Sequence, residues 1–202
     1  MPETLIRSAK VLLLDHITEP SLLGVAEKAH RLGVPVLGDI EGQTESSMPL
    51  ANLTDYLIVP KGFACWASNA LDPRDACAFL AATRRIATVV TNGAEGCYFS
   101  TGSEVAVRHC PAFKIDVFDT NGCGDTFHGA FALAVARNLA VEDAIVFAAA
   151  AAALKAMAAG GERRGWDALP TMDAVLVFLR SRLTEPGRVA LMDRIGALGI
   201  LE

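Results

Sequence analysis

Phe118-Asp119-Thr120-Asn121-Gly122-Cys123-Gly124-Asp125-Thr126-Phe127 is the stretch around which this 202-residue chain is read. It follows the run Phe113-Lys114-Ile115-Asp116-Val117-Phe118, whose alternation predicts a strand, and leads into a predicted helix over residues 126–138. Strand, glycine turn and helix start together make an anion site. The first helical N–H groups have no intrahelical acceptor, and the helix dipole points its positive end at the same place. Gly122 and Gly124 let the backbone approach a phosphate with no Cβ in the way. Asp125 is the odd member, because a carboxylate repels such a ligand. It is explained if it takes a proton from an attacking hydroxyl. A bare G-x-G-D is read equally well as a turn in which Asp119 and Asp125 only cap and bend the chain.

Upstream, residues 9–14, 34–37, 56–59 and 88–91 are short apolar runs, as expected of strands buried on both faces. Between them lie helical patterns. One opens at Pro20 and places Leu22, Leu23, Ala26, Ala29 and His30 on one face; another starts at Asp72-Pro73 with Ala76, Phe79, Leu80 and Thr83. Residues 97–100 and 104–108 flank Thr101-Gly102-Ser103 as a β-hairpin. Downstream, helices are predicted over 141–159, 171–182 and 188–198. Strand and helix alternate in the first half and helices fill the second, with no repeat, linker or internal boundary. The expectation is one α/β domain over residues 1–202, with a mainly parallel sheet covered by helices.

The chain is 52% hydrophobic and 20% charged, enough to build a core, and its net charge of −5 argues against nucleic-acid partners. Five cysteines, odd in number and without C-x-x-C spacing, fit free thiols in a reducing cytoplasm. His109-Cys110 reads as structural, since no other ligands stand at metal-binding spacing. The longest apolar segment, residues 144–154, is too short to span a bilayer and reads as a buried helix. A soluble, cytoplasmic protein with no membrane partner is expected.

The string Asp119 to Phe127 resembles the second signature of the ribokinase (PfkB-type) carbohydrate kinases, Asp-Thr-x-Gly-Ala-Gly-Asp-x-Phe, with Cys123 in place of the Ala. Thr91-x-Gly93-x-x-Gly96 is similar to the family's T-x-G-x-x-G segment along the nucleotide phosphates and ribose. The Ala-rich helix ending in Gly160-Gly161 is similar to the helix and turn beside the adenine, and Leu169-Pro170-Thr171 to the family's Leu-Pro-Thr. The resemblance implies a ribokinase-like three-layer αβα fold and ATP-dependent phosphorylation of a hydroxyl on a sugar or sugar-like alcohol. Asp125 would be the general base, and the N–H groups of Gly122, Cys123 and Gly124 the anion hole. Thr91, Gly93, Gly96, Thr120, Gly160 and Gly161 would bind the nucleotide. Asp39 and Glu41, an acidic pair after the strand ending at 37, would act indirectly on Mg²⁺, or form a solvated loop. The family often also holds K⁺ in the neighbouring backbone, and forms homodimers through a β lid.

Two departures qualify this. Where the family has Lys-Pro-Asn-x-x-Glu, this chain reads Val59-Pro60-Lys61-Gly62-Phe63-Ala64 and lacks both Asn and Glu. The resemblance also covers only the family's C-terminal two-thirds, leaving the N-terminal strands, the sugar-pocket glycines and the lid without a counterpart. A truncated, catalytically silent nucleotide-binding remnant is therefore the alternative to an active kinase. Asp39-x-Glu41 leans toward ketohexokinase-like sugar kinases over nucleoside kinases.

Overall fold

The apolar runs of the first half become strands of one six-stranded sheet. The computed structural model describes residues 1–15, 21–83, 85–102, 106–158, 169–183 and 186–197. By its internal contacts the chain divides into Met1–Pro111 and Ala112–Glu202. In the first unit, β1 (Leu12–Asp15), β2 (Val36–Asp39), β3 (Tyr56–Pro60), β4 (Ala87–Thr91), β5 (Cys97–Thr101) and β6 (Arg108–Cys110) lie side by side in chain order. The pairs from β1 to β4 are parallel, and β4–β5 and β5–β6 are antiparallel. The hairpin is thus present, with its second strand at β6. Between the strands come α1 (Glu3–Arg7), α2 (Ser21–Arg31), α3 (Ser47–Asn52), α4 (Lys61–Ser68) and α5 (Pro73–Ala81). Pro20, the expected start of α2, lies outside the described residues.

The apolar runs of β2 to β4 are explained by burial on both sheet faces: Val36, Leu37, Leu57, Ile58, Val59, Val89 and Val90 are fully buried. The run 9–14 departs from that expectation, since β1 is an edge strand in which only Leu14 is buried and Leu13 is exposed. Asp72 caps α5 by accepting the Arg74 N–H at 2.7 Å. Three placements differ from expectation: Phe79, His30 and Thr83 are exposed, Thr83 lying beyond the end of α5, because helical spacing alone does not say where a face or a helix ends.

Under the sheet, Arg85 is buried and fully engaged. Its guanidinium donates to the Ala51 and Thr54 carbonyls, and to the Thr54 and Thr83 hydroxyls at 2.8 Å each. Burial lowers its pKa to about 10, with Asp55 opposing that shift. Asp55 itself accepts the Val36 N–H at 2.8 Å and pairs with His30 Nε2 at 3.1 Å, tying α2 to the sheet.

The second unit is helical: α6 (Cys123–Ala136), α7 (Val141–Met157), α8 (Met172–Arg182) and α9 (Pro186–Ala197). Helices α6 and α7 make the main contact. Ala134, Ala144, Ala148 and Ala151 bring the backbones close while Phe131 and Ile145, both fully buried, fill the seam. Thr171 caps α8, accepting the Ala174 N–H at 3.2 Å, and Arg194 of α9 holds Asp143 of α7 through two bonds of 2.7 and 2.8 Å.

One expected strand is absent. Residues 113–118 form no strand. The period-2 pattern is real, but a strand needs a neighbour for its backbone groups. Here the N–H groups of Phe118 and Asp119 both donate to the Ala156 carbonyl at the end of α7, at 2.8 and 3.1 Å. Val117 and Phe118 stay exposed, and Phe113 packs edge-on against Phe178.

Candidate functional site

The turn at 119–125 is built as the sequence suggests, with its helix starting three residues early. Helix α6 begins at Cys123, so Asp125 stands inside its first turn. Gly122 precedes it at φ +73°, a left-handed conformation natural to glycine, and no side chain caps the helix. The Thr126 N–H (2.9 Å) and hydroxyl (2.7 Å) both donate to the Gly122 carbonyl, pinning the turn. The Asn121 N–H donates to Asp119 Oδ1 at 2.9 Å, an Asx turn. The Cys123 N–H is engaged with the Thr120 carbonyl at 3.2 Å. That leaves Gly124 and Asp125, whose first-turn N–H groups have no intrahelical acceptor.

A cavity of about 790 Å³ opens beside this turn, within the second unit. Asp119, Asn121, Gly122 and Asp125 line its polar end together with Lys155. The remaining wall is apolar: Leu133 and Ala130 of α6, Phe147 and Ala151 of α7, and Met172 and Val175 of α8, with Leu169 and Pro170 just ahead. An uncapped helix start beside an apolar slot suits a ligand with an anionic end and a flat apolar end.

Lys155 is the residue that sequence reasoning missed. It is only 6% exposed. A Cβ built on Gly122 would lie 3.7 Å from Lys155 Cε and 3.7 Å from Asp125 Oδ2, so cation and carboxylate flank the same glycine. A signal existed: Ala144, Ala148, Ala151 and Lys155 follow one another at spacings of four, three and four on the buried face of α7. A lysine continuing that stripe needs a reason. Burial pushes the Cys123 thiol upward, with Lys155 opposing that shift and Asp119 adding to it.

The other predicted residues fall as follows. Thr120 is exposed and its carbonyl supports the turn. Thr91 ends β4, and Gly93 and Gly96, at φ +54° and +93°, bend the chain so that the Asn92 N–H reaches the Gly96 carbonyl at 2.7 Å. Asp39 is buried at the carboxyl end of β2 and Glu41 follows it, exposed. These five belong to the first unit. Gly160 and Gly161 lie outside the described residues. His109 stacks on Tyr98 and bonds the Glu95 carbonyl at 2.8 Å, a structural role.

The family model of the pfkB family carbohydrate kinases matches residues 2–165. The chain belongs to this family. Its relatives include a ribokinase of Lactococcus lactis, 29% identical over 160 residues that make up 79% of this chain and 51% of the relative. Arabidopsis thaliana ribokinase, solved with ribose and ATP, superposes with a TM-score of 0.74 at 25% identity, over 87% of this chain and 57% of that one. Aminoimidazole riboside kinase of Salmonella enterica, solved with aminoimidazole riboside and an ATP analog, superposes at 0.68 with 27% identity, over 83% and 61%. The pfkB chain described here therefore spans little more than half the length of the family members it matches. Its fold is the ribokinase-like α/β fold with a mainly parallel sheet. Among the described residues, no helix is long and apolar enough to cross a membrane.

Proposed function

We propose that this family member binds ATP in the second-unit cavity and transfers its γ-phosphoryl group to a hydroxyl of a sugar or sugar-like alcohol. The observation that carries this is the uncapped α6 turn with Asp125 in its first turn, at the polar end of an otherwise apolar cavity. The base would lie against the apolar wall and the phosphates at the turn. Backbone N–H groups of Gly122, Cys123 and Gly124 would stabilise the charge of the transferring group, Cys123 sharing its N–H with Thr120. The Asp125 carboxylate would take the hydroxyl proton as that oxygen bonds to phosphorus, while the bond from phosphorus to the β–γ bridging oxygen breaks and ADP leaves. Thr91, Gly93 and Gly96, and Gly160 and Gly161, are assigned to the nucleotide on the family resemblance.

Mg²⁺ would neutralise the β- and γ-phosphates. It commonly uses one or two carboxylates, with phosphates and water completing its shell. Asp39 and Glu41 fit that modest demand and would orient its waters. K⁺ fits the described turn less well. The Gly122 and Ala156 carbonyls each already accept two donors, so a K⁺ cage there needs other oxygens. The protein would act in the cytoplasm, and a homodimer is the family's expectation.

Asp125→Asn tests the proposal. Sugar-dependent ATP turnover, screened over ketoses, aldoses and nucleosides, is expected to fall on the order of 10²–10⁴-fold while ATP still binds. Unchanged turnover would remove Asp125 as the base. A second reading, a catalytically silent nucleotide-binding protein, is favoured by the missing Asn and Glu between Val59 and Ala64. Calorimetric ATP binding by the unmodified chain, with no transfer to any acceptor, would support it.

A further inference from the structure

We infer that Lys155 is a phosphate-binding residue of this site, its ammonium group supplying the fixed positive charge that lets an anion sit beside Asp125. The inference rests on the reading of the α6 turn as a phosphate site and adds a residue that the family signature does not contain. A lysine is almost never buried unless it is paired, yet Lys155 as a whole residue is 6% exposed and lines the cavity. Among the described residues it makes no hydrogen bond or ion pair, and it does not pair with Asp125, although both flank Gly122.

Lys155 and Asp125 both line the same cavity. The uncapped start of α6, which contains Asp125, lines it too, and its first-turn amides demand an acceptor. Two donors of different origin, a helix start and a lysine ammonium without a protein partner, thus line one space. A phosphate oxygen satisfies both at once. This also answers the objection that a carboxylate disfavours a phosphate site: Lys155 offsets the Asp125 charge, so base and anion coexist. The competing role is purely structural. Lys155 lies in the last turn of α7, where any cation is favoured by the helix dipole. That role needs neither burial nor the cavity, and it predicts no selectivity for phosphate.

The test is calorimetric titration of the 202-residue chain and its Lys155→Met and Lys155→Arg variants with tripolyphosphate and, separately, with adenosine. Lys155→Met is expected to weaken tripolyphosphate on the order of tenfold to a hundredfold and to leave adenosine unchanged, with Lys155→Arg retaining most of the affinity. The melting temperature of Lys155→Met without ligand is expected to equal or exceed that of the unmodified chain, since no hydrogen bond or ion pair within the protein is lost with the ammonium. Equal tripolyphosphate affinity in the unmodified and Met chains would overturn the assignment and leave the turn as an anion site. Equal loss of adenosine and tripolyphosphate would overturn it in favour of a structural role. Failure of the unmodified chain to bind tripolyphosphate would overturn the phosphate reading of the turn and this inference with it. Should the variants not fold, acetic anhydride labelling of the unmodified chain decides: tripolyphosphate is expected to protect Lys155, and equal labelling with and without it would overturn the inference.

Discussion

Arg85 in the first unit and Lys155 in the second are both buried cations, 8% and 6% exposed, with opposite surroundings. Arg85 is closed in by carbonyls and hydroxyls of Ala51, Thr54, Leu80 and Thr83. Lys155 lines a cavity and makes no bond among the described residues. The first unit satisfies this charge from within, so Arg85 joins α3, the turn before β3 and the end of α5. The second leaves donors open at one end of a cavity. The contrast teaches where to look for chemistry in a core: at the buried polar group whose partner the chain does not provide.

The comparison breaks first at Arg85. Arg85→Met removes the guanidinium that bridges the Ala51 and Thr54 carbonyls and the Thr54 and Thr83 hydroxyls, and is expected to cost about 3 kcal/mol, read by urea unfolding, with tripolyphosphate affinity unchanged. Lys155→Met should show the reverse pattern. If Arg85→Met weakens anion binding and spares stability, the division between a self-satisfied and an open unit fails.

A smaller effect is expected at Gly38 in β2. A Cβ there would sit 2.5 Å from Thr54 Cγ2. That methyl cannot swing aside cheaply, because the Thr54 hydroxyl donates to the Ala51 carbonyl at 2.8 Å and accepts from Arg85 at 2.8 Å. Gly38→Ala is expected to cost about 1–3 kcal/mol, and chemical unfolding without such a loss would show the packing of β2 against Thr54 to be looser than described.

The last effect is confined to alkali. Burial pushes the Cys77 thiol from 9.0 up to about 12. A raised folded pKa means that the contribution is complete below pH 9 and is lost as pH rises toward 12. Stability should therefore decline across that window, by about 1.4 kcal/mol per pH unit from this thiol. Cys77→Ala should flatten that decline, measured as unfolding midpoint against pH. An identical slope in the variant would show that other groups, such as the Cys97 thiol, which is also raised, carry it.

Much of the fold was legible because its rules are local or periodic. Apolar runs of four to five residues marked β1 to β4. Asp72-Pro73 and Thr171 announced helix starts through capping chemistry, and Gly122-x-Gly124-Asp125 marked a helix mouth. The segment 113–118 shows where such rules stop. Its alternation is that of a strand, but its donors found the end of α7, and pairing is a property of the neighbour.

What the sequence determined by itself was the α/β class, the family, and the turn carrying Asp125, because strand patterning, helix capping and the glycine signature are written within a few adjacent residues. Tertiary structure alone decided that α7 returns its last turn to the start of α6, thirty-two residues apart from Cys123 to Lys155. That return brings a lysine side chain and a carboxylate to the same glycine. Charge compensation acts through space, so no local pattern around Asp125 could have named its partner.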